Sequence, residues 1–193
     1  MAPQYAYPDA DVSDGSWQNE SSNNTNLYAS IDDAHGVADA VADNTYISVS
    51  DDGGGMGGPS ALPVTVSLGS TTDPASGADH SVVILWSDGE GYGQVTLNVN
   101  LKDGSSSIKN EDFTVDTGSA TPITSTMSLS TAQANNISSS GYGNLSLVLT
   151  STDNGGSGAT TSVYRAYFKC PEAASSSVPI AAIAMNTYRQ MGN

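Results

Sequence analysis

Leu62, Val64, Val66 and Leu68 take every second position of ALPVTVSLG, and Val95, Leu97, Val99 and Leu101 do the same in QVTLNVNLK. Side chains of an extended strand point alternately to opposite faces, so this pattern builds sheets with one buried and one wet face. On a helix the same residues would be spread over all sides and bury nothing. The alternation therefore commits the chain to antiparallel sheets packed face to face.

Other segments repeat the device. Leu145, Leu147 and Leu149 alternate in LSLVLTS, Tyr46, Ile47 and Val49 mark a strand in DNTYISVS, and Leu27, Ala29 and Ile31 predict one in NLYASIDD. SVVILWS, residues 81–87, is apolar on both faces and suits an interior strand, with Trp86 in the core. Asp103-Gly104 is a turn signal that pairs QVTLNVNL with SSSIKNEDFTVD as a hairpin. Ser130 with Gln133 three residues on has capping-box spacing, which predicts a short helix over Thr131 to Ile137. TSVYRAYFKC reads as the closing strand. About eight strands with one short helix predict an all-β sandwich or jelly roll. It spans residues 27–170, with 1–26 as an N-terminal arm carrying one or two short strands and 171–193 as linker and C-terminal peptide.

Charge limits the partners. The chain carries 20 acids against five bases, a net charge of −15, and its first lysine or arginine is Lys102. A nucleic-acid binder needs clustered cations to displace counterions from phosphates, so nucleic acid is excluded as a direct ligand. The same charge repels anionic membranes, and no run approaches the roughly 20 apolar residues of a membrane span. The N-terminal MAPQYAYPDADV has neither a basic nor an apolar signal region, and Cys170, the sole cysteine, has no intramolecular partner. Both fit assembly in a reducing cytoplasm.

Candidate chemistry is sparse. GEGYG, Gly89 to Gly93, precedes an alternating strand rather than a helix and carries Asp88 before it and Glu90 within it, so it reads as a turn and not a phosphate loop. Asp9, Asp11 and Asp14, or Asp51 and Asp52 in the Gly-rich VSDDGGGMGGPSALP, are weak Ca²⁺ candidates without the spacing of an EF-hand; solvated turn acids are the competing reading, and no cofactor is expected. His35 and His80 lack zinc spacing, and no G-x-S-x-G elbow accompanies them, so no enzyme is expected. Tyr92 and Tyr142, each between glycines, are candidate glycan contacts, since exposed aromatic faces stack on sugars.

DADVSDGSW, NLYASIDD and ADNTYISVS together resemble the N-terminal signature of a group of tailed-phage virion proteins. There a D-V-S-x-G-x-W stretch precedes an L-Y-A-x-I-D-E-like strand and a D-x-x-Y-I strand. MSLSTAQANNISSSGYGNLSLVLT is similar to that group's L-T-x-x-Q-A-x-x-I helix and following strand, so the resemblance covers about residues 9–170. Asp33 stands where glutamate is usual, and the Gly-rich loop and C-terminal peptide lie outside the pattern.

The resemblance implies a small β-sandwich that decorates or cements the phage head, or belongs to tail or fibre, and supplies no catalytic residues. The expected partners are the major capsid protein or other virion proteins, with the chain as a homo-oligomer located in the virion; a host-glycan-binding spike or fibre module is the alternative. Ordering a flexible arm costs entropy, so each arm needs apolar anchors. Tyr5, Tyr7 and Trp17 are expected to serve at one end, and Ile180, Ile183 and Tyr188 at the other. The C-terminal element has a second reading, a helix packed on its own domain.

Overall fold

The computed structural model describes residues 2–34, 44–50, 63–88, 94–116, 121–153 and 160–173. These residues form a β-sandwich of eleven strands in two antiparallel sheets. The strands are β1 (Gln4–Ala6), β2 (Pro8–Ser13), β3 (Gln18–Asn19), β4 (Ile47–Ser50), β5 (Val64–Leu68) and β6 (Ser81–Asp88). They continue as β7 (Gln94–Asp103), β8 (Ser106–Asp116), β9 (Ile123–Ser128), β10 (Leu145–Asp153) and β11 (Thr160–Cys170).

One sheet runs β3-β4-β11-β6-β9 with β1 also paired to β11, six strands in all; the other runs β2-β5-β10-β7-β8. The alternating positions fill the space between them. Val64, Val66, Val95, Leu97, Val99, Leu101, Leu145, Leu147 and Leu149 line the inner face of the five-stranded sheet, and Val82, Ile84, Trp86, Val163, Ala166 and Phe168 that of the six-stranded one. β6 is central, between β11 and β9, as its two apolar faces require. β7 and β8 form the expected hairpin, and Gly104 supplies the positive φ of 55° at its turn.

The capping box is present, with the Ser130 hydroxyl accepting from the Gln133 N–H and the Gln133 side chain accepting from the Ser130 N–H. The helix it opens, α1, is one turn, Thr131–Ala134, shorter than expected, although Ile137 is still buried.

Two expectations are corrected. NLYASIDD is no strand: Leu27–Ser30 is a 3-10 turn, with Leu27, Ser30 and Ile31 buried and Ala29 exposed. The Asp11 carboxylate accepts from the N–H groups of Leu27 at 2.9 Å and Tyr28 at 2.8 Å, which fixes the start of the turn. The proposed N-terminal arm is, from Gln4 onward, part of both sheets. β1 pairs β11, β2 pairs β5 and β3 pairs β4, while Trp17 is fully buried. The D-V-S-x-G-x-W stretch is therefore a structural device. Asp11 caps the 3-10 turn, Gly15 takes φ 57°, and Trp17 fills the core.

Candidate functional site

β11 carries a β-bulge between Val163 and Arg165, which turns Arg165, Tyr167 and Lys169 to the outer face while Ala166, Phe168 and Cys170 face the core. β1 lies beside them: Tyr5 opposes Lys169, Ala6 opposes Phe168, and Tyr5 and Tyr7 flank the buried Ala6 on the outer side. The result is an aromatic cluster. The rings of Tyr5 and Tyr7 stack at 6.3 Å, Tyr167 meets Tyr5 edge-on at 5.6 Å and Tyr7 at 6.0 Å, and the Arg165 guanidinium sits 6.0 Å from the Tyr167 ring centre. Burial pushes the Tyr5 and Tyr167 hydroxyls above their ordinary range, so both stay neutral donors. Farther along, Tyr46 and Tyr164 pack at 5.7 Å, and the Tyr164 hydroxyl lies 3.3 Å from Ser87 Oγ.

The register sets what surrounds the cluster. Across the outer face run the rows Tyr5, Lys169, Ser81, Ser128; then Tyr167, Val83, Thr126; then Arg165, Leu85, Thr124. None of these side chains is a carboxylate, although the chain holds 20 acids, and two of its five bases are here. The outer face of the five-stranded sheet differs. There hydroxyls, amides and acids pair across strands, Thr96 with Thr114, Asn98 with Asp112, Ser107 with Asn100 and Ser67 with Asp9.

The residues singled out from sequence fall differently. Tyr5 and Tyr7 belong to the cluster, but Trp17 does not: it is core, and its burial removes it as a docking anchor. Tyr142 is also buried, at 4% exposure, so it offers no face to a sugar. Tyr92, His35, Asp51, Asp52, Ile180, Ile183 and Tyr188, with the Gly-rich and GEGYG segments, lie outside the described residues. Asp9, Asp11 and Asp14 do not converge. Asp9 accepts from Ser67 Oγ at 2.6 Å, Asp11 from two backbone amides, and Asp14 from Asn24 Nδ2 at 2.7 Å. Among the described residues no three His, Cys, Asp or Glu side chains are grouped to hold a metal ion.

Sequence reasoning missed Tyr167 and Arg165. Their signal was present as off-beat positions of TSVYRAYFKC, but the bulge breaks the alternation and hides which side they face.

His80 and Tyr142 form a second, buried polar pair. His80 directly precedes β6, and Tyr142 sits in the 3-10 turn Gly141–Gly143 that leads into β10, so their contact joins the two sheets. His80 Nδ1 is 2.7 Å from the Ala78 carbonyl, which only accepts, so that nitrogen carries the proton. Nε2, 2.8 Å away from the Tyr142 hydroxyl, then accepts from it. Phe168 packs on both rings.

Burial holds the imidazole below its ordinary 6.5, against the opposing pull of the Ala78 carbonyl, Asp73 and Asp79, and it pushes the Tyr142 phenol up to about 12. Burial likewise raises the Cys170 thiol, which leaves it unreactive. A histidine whose folded pKa is depressed favours folding fully above its unfolded value, and that contribution fades as pH falls through 6.5 toward the folded value. The melting temperature is expected to fall between about pH 8 and about pH 5, where histidine titrates. The fall is expected to be smaller in His80→Gln, whose neutral amide keeps one donor and one acceptor; equal slopes in the two proteins, measured by scanning calorimetry, would rule the pair out as the source.

No family model and no curated protein matches the chain. Among solved structures it is similar to TmCBM61 in complex with β-1,4-galactotriose, at 10% identity and a TM-score of 0.37, covering 67% of this chain and 72% of that one.

Proposed function

We propose that this protein is a non-enzymatic structural component of a tailed-phage particle. It decorates or cements the outer head surface and docks through the tyrosine face of its six-stranded sheet. The observation that carries the docking reading is the cluster of Tyr5, Tyr7, Tyr167 and Arg165 on a sheet face whose registered rows contain no carboxylate, in a chain of net charge −15. Tyrosine and arginine dominate the energetic centres of protein interfaces, because each buries a large area and keeps a polar end for a directed contact. Arg165 and Lys169 beside three tyrosine hydroxyls complement a capsomer surface that presents carboxylates.

The resemblance to virion proteins supports the choice of partner. The expected result is co-sedimentation of the chain with purified particles in defined stoichiometry, labelling of intact heads by an antibody against it, and release by raised salt. Recovery only in the free-lysate fraction would sink the reading, and labelling confined to tails would move the protein to tail or fibre.

A further inference from the structure

At the edge of the tyrosine face, where β6 begins and β9 and β11 end, the chain encloses a groove of about 660 Å³. It is lined chiefly by Asp79, Ser81, Thr126, Ser128, Lys169 and Glu172, with Pro3, Leu129 and Pro171 supplying apolar surface. The volume lies in the range of about 300–1,000 Å³ typical of small-ligand sites.

What sets this groove apart is the state of its polar groups. The side chains of Asp79, Ser81, Thr126, Ser128 and Lys169 make no hydrogen bond to any described residue, and Lys169 forms no ion pair with either acid. Glu172 receives one hydrogen bond, from the Ala2 N–H at 3.0 Å. On the other sheet the equivalent groups satisfy one another across strands. Here the register brings Lys169, Ser81 and Ser128 into one row, yet they stay unspent and point into a shared space. Asp79 is held at its rim by a backbone with φ 55°, a conformation that aspartate adopts more readily than most residues.

We infer that this groove binds a neutral saccharide. A sugar hydroxyl donates and accepts at once, and so does the set that faces it: carboxylates that accept, an ammonium that donates, and three hydroxyls that do both. An anionic ligand would meet Asp79 and Glu172, and a cationic one would meet Lys169, whereas a neutral polyol satisfies all three. The C–H faces of a pyranose pack on Pro3, Leu129 and Pro171, with the Tyr5 ring at the end of the same row as Lys169, Ser81 and Ser128. The groove shares Lys169 with the tyrosine face, but Asp79 and Glu172 belong to the groove alone, so Asp79→Asn tests the inference without touching the docking reading.

The test is a printed array of neutral and carboxylated oligosaccharides probed with the full chain, followed by titration of the strongest neutral binder by NMR. Neutral glycans are expected to be retained, with shifts at Ser81, Ser128 and Lys169. Binding should weaken at least tenfold in Asp79→Asn and in Lys169→Gln and stay unchanged in Thr150→Ala, which lies on the other sheet. Both groove side chains are at the surface and uncommitted, so the variants keep the wild-type melting temperature. An array with no neutral hits, hits restricted to carboxylated glycans, or equal binding by the groove variants would each overturn the inference, while particle occupancy would be untouched.

Discussion

Trp17→Ala is expected to cost about 3–5 kcal/mol, the range for removing a fully buried large aromatic, and to lower the melting temperature accordingly. The indole has no exposed surface. Its backbone N–H also donates to the Asp14 carbonyl at 3.0 Å, closing the turn between β2 and β3. Removing it empties volume between elements that cannot all move inward, because β2 is tied to β5 and β3 to β4. Deleting residues 1–20 is expected to do more. It strips β1 from β11, β2 from β5 and β3 from β4, breaks the Asp11 cap, and leaves a chain that fails to give a cooperative melt. A truncated protein with native melting behaviour would show that this segment is a detachable arm after all.

Replacing Tyr5 and Tyr7 together by alanine is expected to lower affinity for purified particles by about 30-fold or more, the effect of losing an interface centre worth about 2 kcal/mol. Stability should change far less. Both rings are half-buried on the outer face, and an aromatic pair adds only about 0.5–1.5 kcal/mol beyond its buried area. Arg165→Lys offers a second reading of the same surface. It preserves charge but loses the planar fork, so binding should weaken and become no less salt-sensitive. Equilibrium sedimentation of labelled protein with stripped heads checks both. Unchanged occupancy with the double variant, at an unchanged melting temperature, would remove this face as the docking surface.

The two predictions separate residues that the sequence had grouped. Tyr5, Tyr7 and Trp17 lie within a short N-terminal stretch and look alike as isolated aromatics in polar surroundings. Tyr5 lies on β1 and Tyr7 directly follows it, two apart in extended chain, so their rings share a face, and that much follows from spacing. Trp17 follows a turn closed by Gly15 at φ 57°, which reverses the chain and points the indole inward. Nothing in the local pattern reports that reversal.

Tyr142 was misread for a related reason. A tyrosine between two glycines looks like a turn tip, yet the 3-10 turn is folded against Thr71 and His80, and the ring becomes part of the core. The 3-10 turn at Leu27–Ser30 was misread as a strand because Leu27, Ala29 and Ile31 alternate in the letters. The Asp11 cap, contributed by a distant strand, decided its backbone instead.

By itself the sequence determined the strands β4 to β8, β10 and β11, the β7–β8 hairpin, the capping box of α1 and the core positions of the alternating segments, because period-two alternation, turn residues and cap spacing are local chemistry. β9, mostly hydroxyl side chains with Met127 alone buried, carries no such alternation and was missed. Tertiary structure decided which side of each sheet carries the molecule's distinctive surface. The tyrosine face exists because β1 pairs with β11 from the opposite end of the chain and because a bulge turns Arg165 and Tyr167 outward. The groove exists because Lys169, Ser81 and Ser128 come from three strands in one register. Pairings between residues so far apart depend on the global packing of two sheets, and no local pattern encodes them.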